Sequence, residues 1–299
     1  VGVWSWGDKG YWGYGTEYSE ADVRAAYQTS LDAGLNFFDT AEVYGNGESE
    51  RLLGKCVRSD PRPVVIASKF APLPFRFSAN EIHSALDNSL KRLGLPRLDL
   101  YQIHWPYSLL KIENLMDAMA EAVKTGKIRA VGVSNYSAEQ MKRAHERLAR
   151  YEIPLASNQV QYNLLKRAPE ANGVLDTCRQ LNVALIAYSP LAQGILTDKY
   201  RNNGPRPLKG MRRFQANFRE SSMRKNRPLL ATLADIATAH EKSVEQVALN
   251  WLLAKDELVI PIPGAKTAKQ AAANAGALGW KLTAEEVARL DQASASPLR

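Results

Sequence analysis

Short apolar runs rich in β-branched residues alternate with amphipathic segments along this chain, the pattern of repeated βα units around a parallel sheet. The runs are VGVWSW (1–6), LNFFDT (35–40), VVIASKF (64–70), LDLYQIHW (98–105), IRAVGVSN (128–135), SNQVQYN (157–163), VALIAYSP (183–190) and LVIPIPG (258–264), which makes eight predicted strands. Helical patterns lie between them at 19–34, 78–94, 109–126 and 137–151, with two more near 227–240 and 243–255. In the first of these Ser19 is placed to cap the start and Gly34 to stop the end. No composition break interrupts the first 190 residues, and no GxGxxG follows an early strand. These features favour an α/β fold, a single (β/α)8 TIM barrel spanning 1–299, over a doubly wound sheet. The one departure from the period is 191–257, which places a long basic loop between strands 7 and 8.

Composition changes that picture little. The 299 residues are 45% hydrophobic and 23% charged, as in ordinary globular proteins, and no apolar stretch is long enough for a membrane helix. Charge is more informative: of the net +8, residues 199–228 carry +9, ten Lys and Arg against one acid, Glu220, and the rest of the chain −1. Such a patch points to a partner with phosphates. A phosphorylated cofactor is the more economical partner than nucleic acid, because aromatic residues are sparse there and no zinc-finger or RNP-like motif accompanies it. Cys56 and Cys178 sit in separate helical segments, which predicts reduced thiols. No basic-then-apolar leader is read at Val1 and the start looks trimmed, so the expected location is cytoplasmic, or a plastid if a transit peptide has been removed. A monomer or weak oligomer is expected.

In a parallel barrel the reactive groups belong at the C-terminal ends of strands. There the sequence places Asp39, followed by Tyr44, then Lys69, then His104. Each has a structural alternative: a turn cap for Asp39, a packed ring for Tyr44, a satisfied core histidine for His104. Three adjacent strands placing Asp, Lys and His at one mouth by accident is the weaker explanation. Asp39 can pair with Lys69, and the ammonium would stabilise a phenolate, which makes Tyr44 a usable acid despite a reference pKa near ~10. His104 could then orient a carbonyl.

GLNFFDTAEVYGNGESERLLG (34–54), VVIASKF (64–70), LDLYQIHWP (98–106) and IRAVGVSNYS (128–137) closely resemble the aldo-keto reductase superfamily, over nearly the whole chain. The resemblance implies reduction of an aldehyde or ketone by NADPH, with Tyr44 as proton donor and Asp39, Lys69 and His104 completing a tetrad. It implies cofactor contacts at Gly2, Val3 and Trp4 under the nicotinamide, at Ser134, Asn135 and Gln159 on the carboxamide, and at Tyr188 stacked on the ring. Ser189, Leu191, Gln193 and Gly194 would cradle the pyrophosphate, with Lys199 meeting phosphate charge. Gly264, Lys266, Gln270 and Asn274 match the adenosine 2′-phosphate site. Two departures there, Gly264-Ala265 in place of the familiar Lys-Ser pair and Ala273 in place of a frequent Glu, leave NADPH preference resting mainly on Lys266.

The loops after the first, third and fourth runs bring Tyr11, Trp12, Tyr14, Phe75, Phe77, Trp105 and Tyr107, an aromatic cup suited to a flat or apolar aldehyde. The substrate contacts expected from it are Trp12, Phe75, His104 and Trp105. The WSWGD opening and the ALGWKLT tail resemble plant and cyanobacterial pyridoxal-reductase-like members most, so pyridoxal heads the expected substrates. Rival readings are a Schiff-base aldolase using Lys69, disfavoured by Asp39 beside it, and a metal hydrolase, disfavoured by only four histidines with no ligand pair. A nicotinamide-binding regulatory protein resembling potassium-channel β subunits, with slow turnover, is the main alternative function.

Overall fold

The computed structural model describes residues 1–106, 109–200 and 218–295. Among the described residues seven parallel strands follow one another in sequence order: β1 Phe37–Asp39, β2 Val65–Phe70, β3 Leu98–Ile103, β4 Ile128–Ser134, β5 Leu155–Gln161, β6 Ala184–Tyr188 and β7 Val259–Pro261. Helices lie between successive strands, and most strand residues are buried. In β2, all but Val65 are buried. Register aligns the functional ends: Asp39 pairs with Ala67, Lys69 with Gln102, and Ser134 with Gln159.

The predicted first strand is the main correction. Residues 1–6 form no strand; Gly2 alone makes parallel bridges, one to Asp39 on β1 and one to Gly264 beyond β7. The amide of Val3 donates to the Asp39 carbonyl at 2.9 Å, and that of Gly2 to the Pro263 carbonyl at 3.1 Å. Both sheet edges therefore meet on this segment. Pairing stops there because the chain turns to bury Trp6, whose Nε1 donates to the Ala265 carbonyl at 2.8 Å. A side chain at position 2 would collide with the Ile262 carbonyl oxygen, 2.9 Å from where its Cβ would stand, so the close approach needs glycine. The eighth run shrinks to three residues because Pro261 and Pro263 carry no N–H for a ladder.

The predicted basic loop falls largely on residues 201–217, outside the described residues. Its distal part is corrected: the helix expected from about 227 begins at Glu220 and runs to Ala239, with Arg224, Lys225 and Arg227 in its first turns and Pro228 inside it. Buried Met223 anchors those turns to the core, which extends the helix upstream of its expected start. Ser137, Ser243 and Thr283 cap the helices 138–149, 244–255 and 284–294 with side-chain hydrogen bonds. Cys56 and Cys178 are buried free thiols, pushed by burial up to about 11 and about 12. Among the described residues no helix is long and apolar enough to cross a membrane.

Candidate active site

Three strand ends and one turn build the reacting corner. Asp39 closes β1, Lys69 lies one residue before the end of β2, and His104 follows β3 with its amide donating to the Phe70 carbonyl at 2.8 Å. Tyr44 starts a 3-10 turn, Tyr44–Gly47, whose Gly45, Asn46 and Gly47 all adopt positive φ. Gly45 packs against the Gly7 carbonyl, where a Cβ would stand 3.0 Å from the oxygen. The Lys69 ammonium is wholly buried and donates to Asp39 Oδ1 at 2.5 Å, to the Thr40 carbonyl at 2.8 Å and to the Tyr44 hydroxyl at 3.3 Å. Asp39 Oδ2 accepts from Gln159 Nε2 at 2.8 Å and Gln102 Nε2 at 3.1 Å.

Electrostatics refines the expected logic. Burial is the largest influence on Tyr44 and raises its pKa; Lys69 pulls it down and Asp39 pushes it back up, leaving a net rise. The phenol is therefore held protonated, and the nearby ammonium does not bring it towards neutrality as the sequence suggested. For Lys69, burial works against the charged form, but Asp39 and Tyr44 outweigh it and the pKa is raised. His104 is lowered to about 2, first by burial and then by Lys69, so its ring is neutral. Its Nδ1 is buried without a partner. A proton placed there would find no acceptor, so Nε2 is the favoured N–H.

From this corner a cleft of about 1250 Å³ runs between β6 and the segment after β7. Tyr44, His104, Trp4 and Trp105 line one end. Ser134, Asn135, Gln159 and Tyr188 form the wall next to it, tied by Tyr188 Oη to Asn135 Oδ1 at 3.1 Å and Asn135 Nδ2 to the His104 carbonyl at 3.2 Å. Ser189, Leu191, Gln193, Gly194 and Lys199 line the middle, where Leu191 has φ −100 and Ala192 and Gln193 have φ 47 and 58. Gly2, Gly264, Lys266, Gln270 and Asn274 complete the lining.

The family model for the aldo/keto reductase family matches residues 1–295. The chain belongs to that family. It is 38% identical to a chloroplastic pyridoxal reductase of Arabidopsis thaliana, covering 98% of this chain and 82% of the relative. It is 34% identical to a Schizosaccharomyces pombe aldo-keto reductase named for NADP(+), covering 94% of this chain and 84% of that protein. A Klebsiella pneumoniae aldo-keto reductase solved in complex with NADPH superposes with a TM-score of 0.78 at 31% identity, covering 100% of this chain and 91% of the other. As an aldo/keto reductase the protein is an oxidoreductase, the class its strand-end residues pointed to.

The aldo/keto reductase cleft gathers the expected site residues with two corrections. Val3 is fully buried in the core and forms no part of the lining. Phe75 is 67% exposed and points away, because Arg76 takes the inward place: it forks onto Glu42 at 2.6 and 3.0 Å and lies 4.6 Å over the Phe70 ring. Trp12 lines the cleft, its ring centroid 5.3 Å from that of Trp4, and is held there by Lys266, whose Nζ donates to the Trp12 carbonyl at 3.1 Å and stands 4.9 Å over the Trp12 ring. Tyr11 Oη donates to Gln193 Oε1 at 2.8 Å, so the loop after the first run straps along the cleft. Tyr107 lies outside the described residues. Sequence reasoning missed Gln102, whose signal was an amide inside a buried apolar run. It also missed Lys269, three positions after Lys266 and lining the same cleft.

Proposed function

We propose that this aldo/keto reductase uses NADPH to reduce small aldehydes and ketones to alcohols, with pyridoxal or a similar aromatic aldehyde as substrate. The observation that carries the reading is the Lys69 ammonium bonded at once to Asp39 and to the Tyr44 hydroxyl, where Tyr44 lines a cleft that Lys266 and Lys269 also line.

The residues present fit a dinucleotide. Leu191 and Ala192, of opposite backbone hand, form the kind of turn whose successive N–H groups converge on an anion, as a pyrophosphate requires. Ser134, Asn135 and Gln159 supply hydroxyl and amide groups for a carboxamide, and Tyr188 an aromatic face for the ring. Lys199, Lys266 and Lys269 supply phosphate counter-charge. When bound, the nicotinamide supplies the hydride that adds to the carbonyl carbon. The Tyr44 hydroxyl gives its proton to the oxygen, and the phenolate left behind is stabilised by Lys69 until solvent reprotonates it. Neutral His104 donates from Nε2 to the same oxygen and fixes its direction. Trp4 and Trp105 offer flat walls for an aromatic substrate. We read the segment through Gly2 as the eighth position of a (β/α)8 barrel that forms one domain, with the cytoplasm or the plastid named for the Arabidopsis relative as its location.

The test is substrate-dependent consumption of NADPH and, separately, NADH with pyridoxal and a panel of small aldehydes. Turnover with NADPH that falls about 10²–10⁴-fold in Tyr44→Phe supports the reading. Turnover that survives the substitution refutes the proton donor. NADPH binding with negligible turnover on every aldehyde replaces the enzyme by the slow, cofactor-holding regulatory protein.

A further inference from the structure

The Gln102 side chain crosses the barrel interior beneath the reacting corner, and nothing in the proposed chemistry uses it. It is fully buried, on β3, with Lys69 beside it on β2 and Gly132 beside it on β4. A Cβ at Gly132 would stand 2.9 Å from Gln102 Cγ and 2.4 Å from Ser157 Oγ. The glycine therefore keeps open the space that Gln102 fills. Both ends of the amide are engaged: Nε2 donates to Asp39 Oδ2 at 3.1 Å, and Oε1 accepts from Ser157 Oγ and Gln159 Nε2, each at 3.5 Å.

This arrangement decides which way Gln159 points. Its inner end faces two acceptors, Asp39 Oδ2 at 2.8 Å and Gln102 Oε1 at 3.5 Å, so the NH₂ must lie inward. A flipped amide would set oxygen against carboxylate. The Gln159 carbonyl oxygen is left as the end that can serve the cleft, which Gln159 lines. We propose that Gln102 is a positioning residue: through its two-ended contact it fixes the Gln159 amide with its acceptor towards the carboxamide of the nicotinamide, and holds the Asp39 carboxylate with Oδ1 on Lys69. This rests on the reading of the cleft as an NADPH site.

Gln102→Met keeps volume and removes both contacts. The expected result is NADPH affinity weakened about tenfold, with unchanged affinity for adenosine 2′,5′-bisphosphate, which carries no nicotinamide. A shift in the pH profile of kcat accompanies it, because Asp39 loses one of its two amide donors. Ser157→Ala, which frees Gln102 Oε1 from the other side, gives a smaller loss in the same direction and serves if Gln102→Met does not fold. Titrations by fluorescence quenching, with thermal melts alongside, read all of this. Equal weakening of NADPH and the bisphosphate, or unchanged NADPH affinity in both variants, overturns the positioning role alone if the wild type binds NADPH and turns over. A wild type that does not bind NADPH overturns both readings.

Discussion

Replacing Lys69 by methionine separates what the buried pair does for the fold from what it does for the reaction. Lys69 and Asp39 are 0% and 2% exposed and touch at 2.5 Å, so Lys69→Met leaves a carboxylate in the interior with no cation. Breaking a buried pair from one side typically costs about 3–5 kcal/mol. Here Gln102 and Gln159 still donate to Oδ2. That partial solvation places the expected loss near the lower limit, about 3 kcal/mol, a large share of a domain's usual 5–15 kcal/mol or so. Asp39→Asn/Lys69→Met removes both charges while the new amide oxygen still accepts from the two glutamines, so about 2 kcal/mol of that loss returns. Reductase activity stays lost in both variants, because neither has an ammonium beside Tyr44. Urea melts at neutral pH with unchanged m-values measure the stabilities, and NADPH oxidation the activity. A single variant destabilised by less than about 1 kcal/mol, or a double variant less stable than the single, refutes the account of the pair as mutually compensating charges.

Two further tests use other parts of the site. The His104 imidazole titrates at about 2 in the folded protein, against ~6.5 in an unfolded chain, so the unfolded state takes the proton first. Its contribution is present above that unfolded value and is lost as pH falls from 6.5 towards 2, at up to about 1.4 kcal/mol per pH unit. Between pH 6.5 and 5, His104→Asn should show a shallower fall in urea midpoint than the wild type; parallel slopes would show that the imidazole is not held neutral. Lys266 carries most of the expected preference for the phosphorylated dinucleotide, and Lys266→Met should raise the KM for NADPH about tenfold or more while leaving that for NADH nearly unchanged. An equal rise for both cofactors would place Lys266 in the support of the strap through Trp12 and not in phosphate recognition.

How far the chain disclosed this in advance depends on the distance over which each feature is decided. Asp39, Lys69 and His104 were legible because each breaks an apolar run at the end of a strand, and a parallel sheet gathers those ends. The first run was misread because VGVWSW has a strand's composition, while its conformation is set by the slot that accepts Trp6 Nε1 at Ala265, 259 positions away. Trp12 is placed by Lys266, 254 positions away. Phe75 failed for a local reason of another kind: in APLPFRF the arginine outbid the aromatics for the inward place, since Glu42 offered it two carboxylate oxygens and Phe70 a ring face. Gln102 is a polar residue in a buried strand, and only the folded interior shows that Asp39 and Gln159 lie within its reach.

In the proposed reaction, the same interior would let Tyr44 serve as the donor although its pKa is raised. Desolvation acts against the phenolate and makes the resting hydroxyl a firmly protonated group, ready to give a proton at any neutral pH. The Lys69 contribution has the opposite sign and becomes largest when the phenolate exists, because a full charge then faces the buried ammonium across 3.3 Å. An alkoxide developing on the substrate is a far stronger base than a phenolate, so the transfer does not require Tyr44 to be acidic at rest; it requires the product of the transfer to be stabilised. Asp39 secures that by keeping Lys69 charged, and the two glutamines secure Asp39. The ordering of the site thus runs outward from its most buried members: amides hold a carboxylate, the carboxylate holds an ammonium, and the ammonium waits for the charge that the reaction creates.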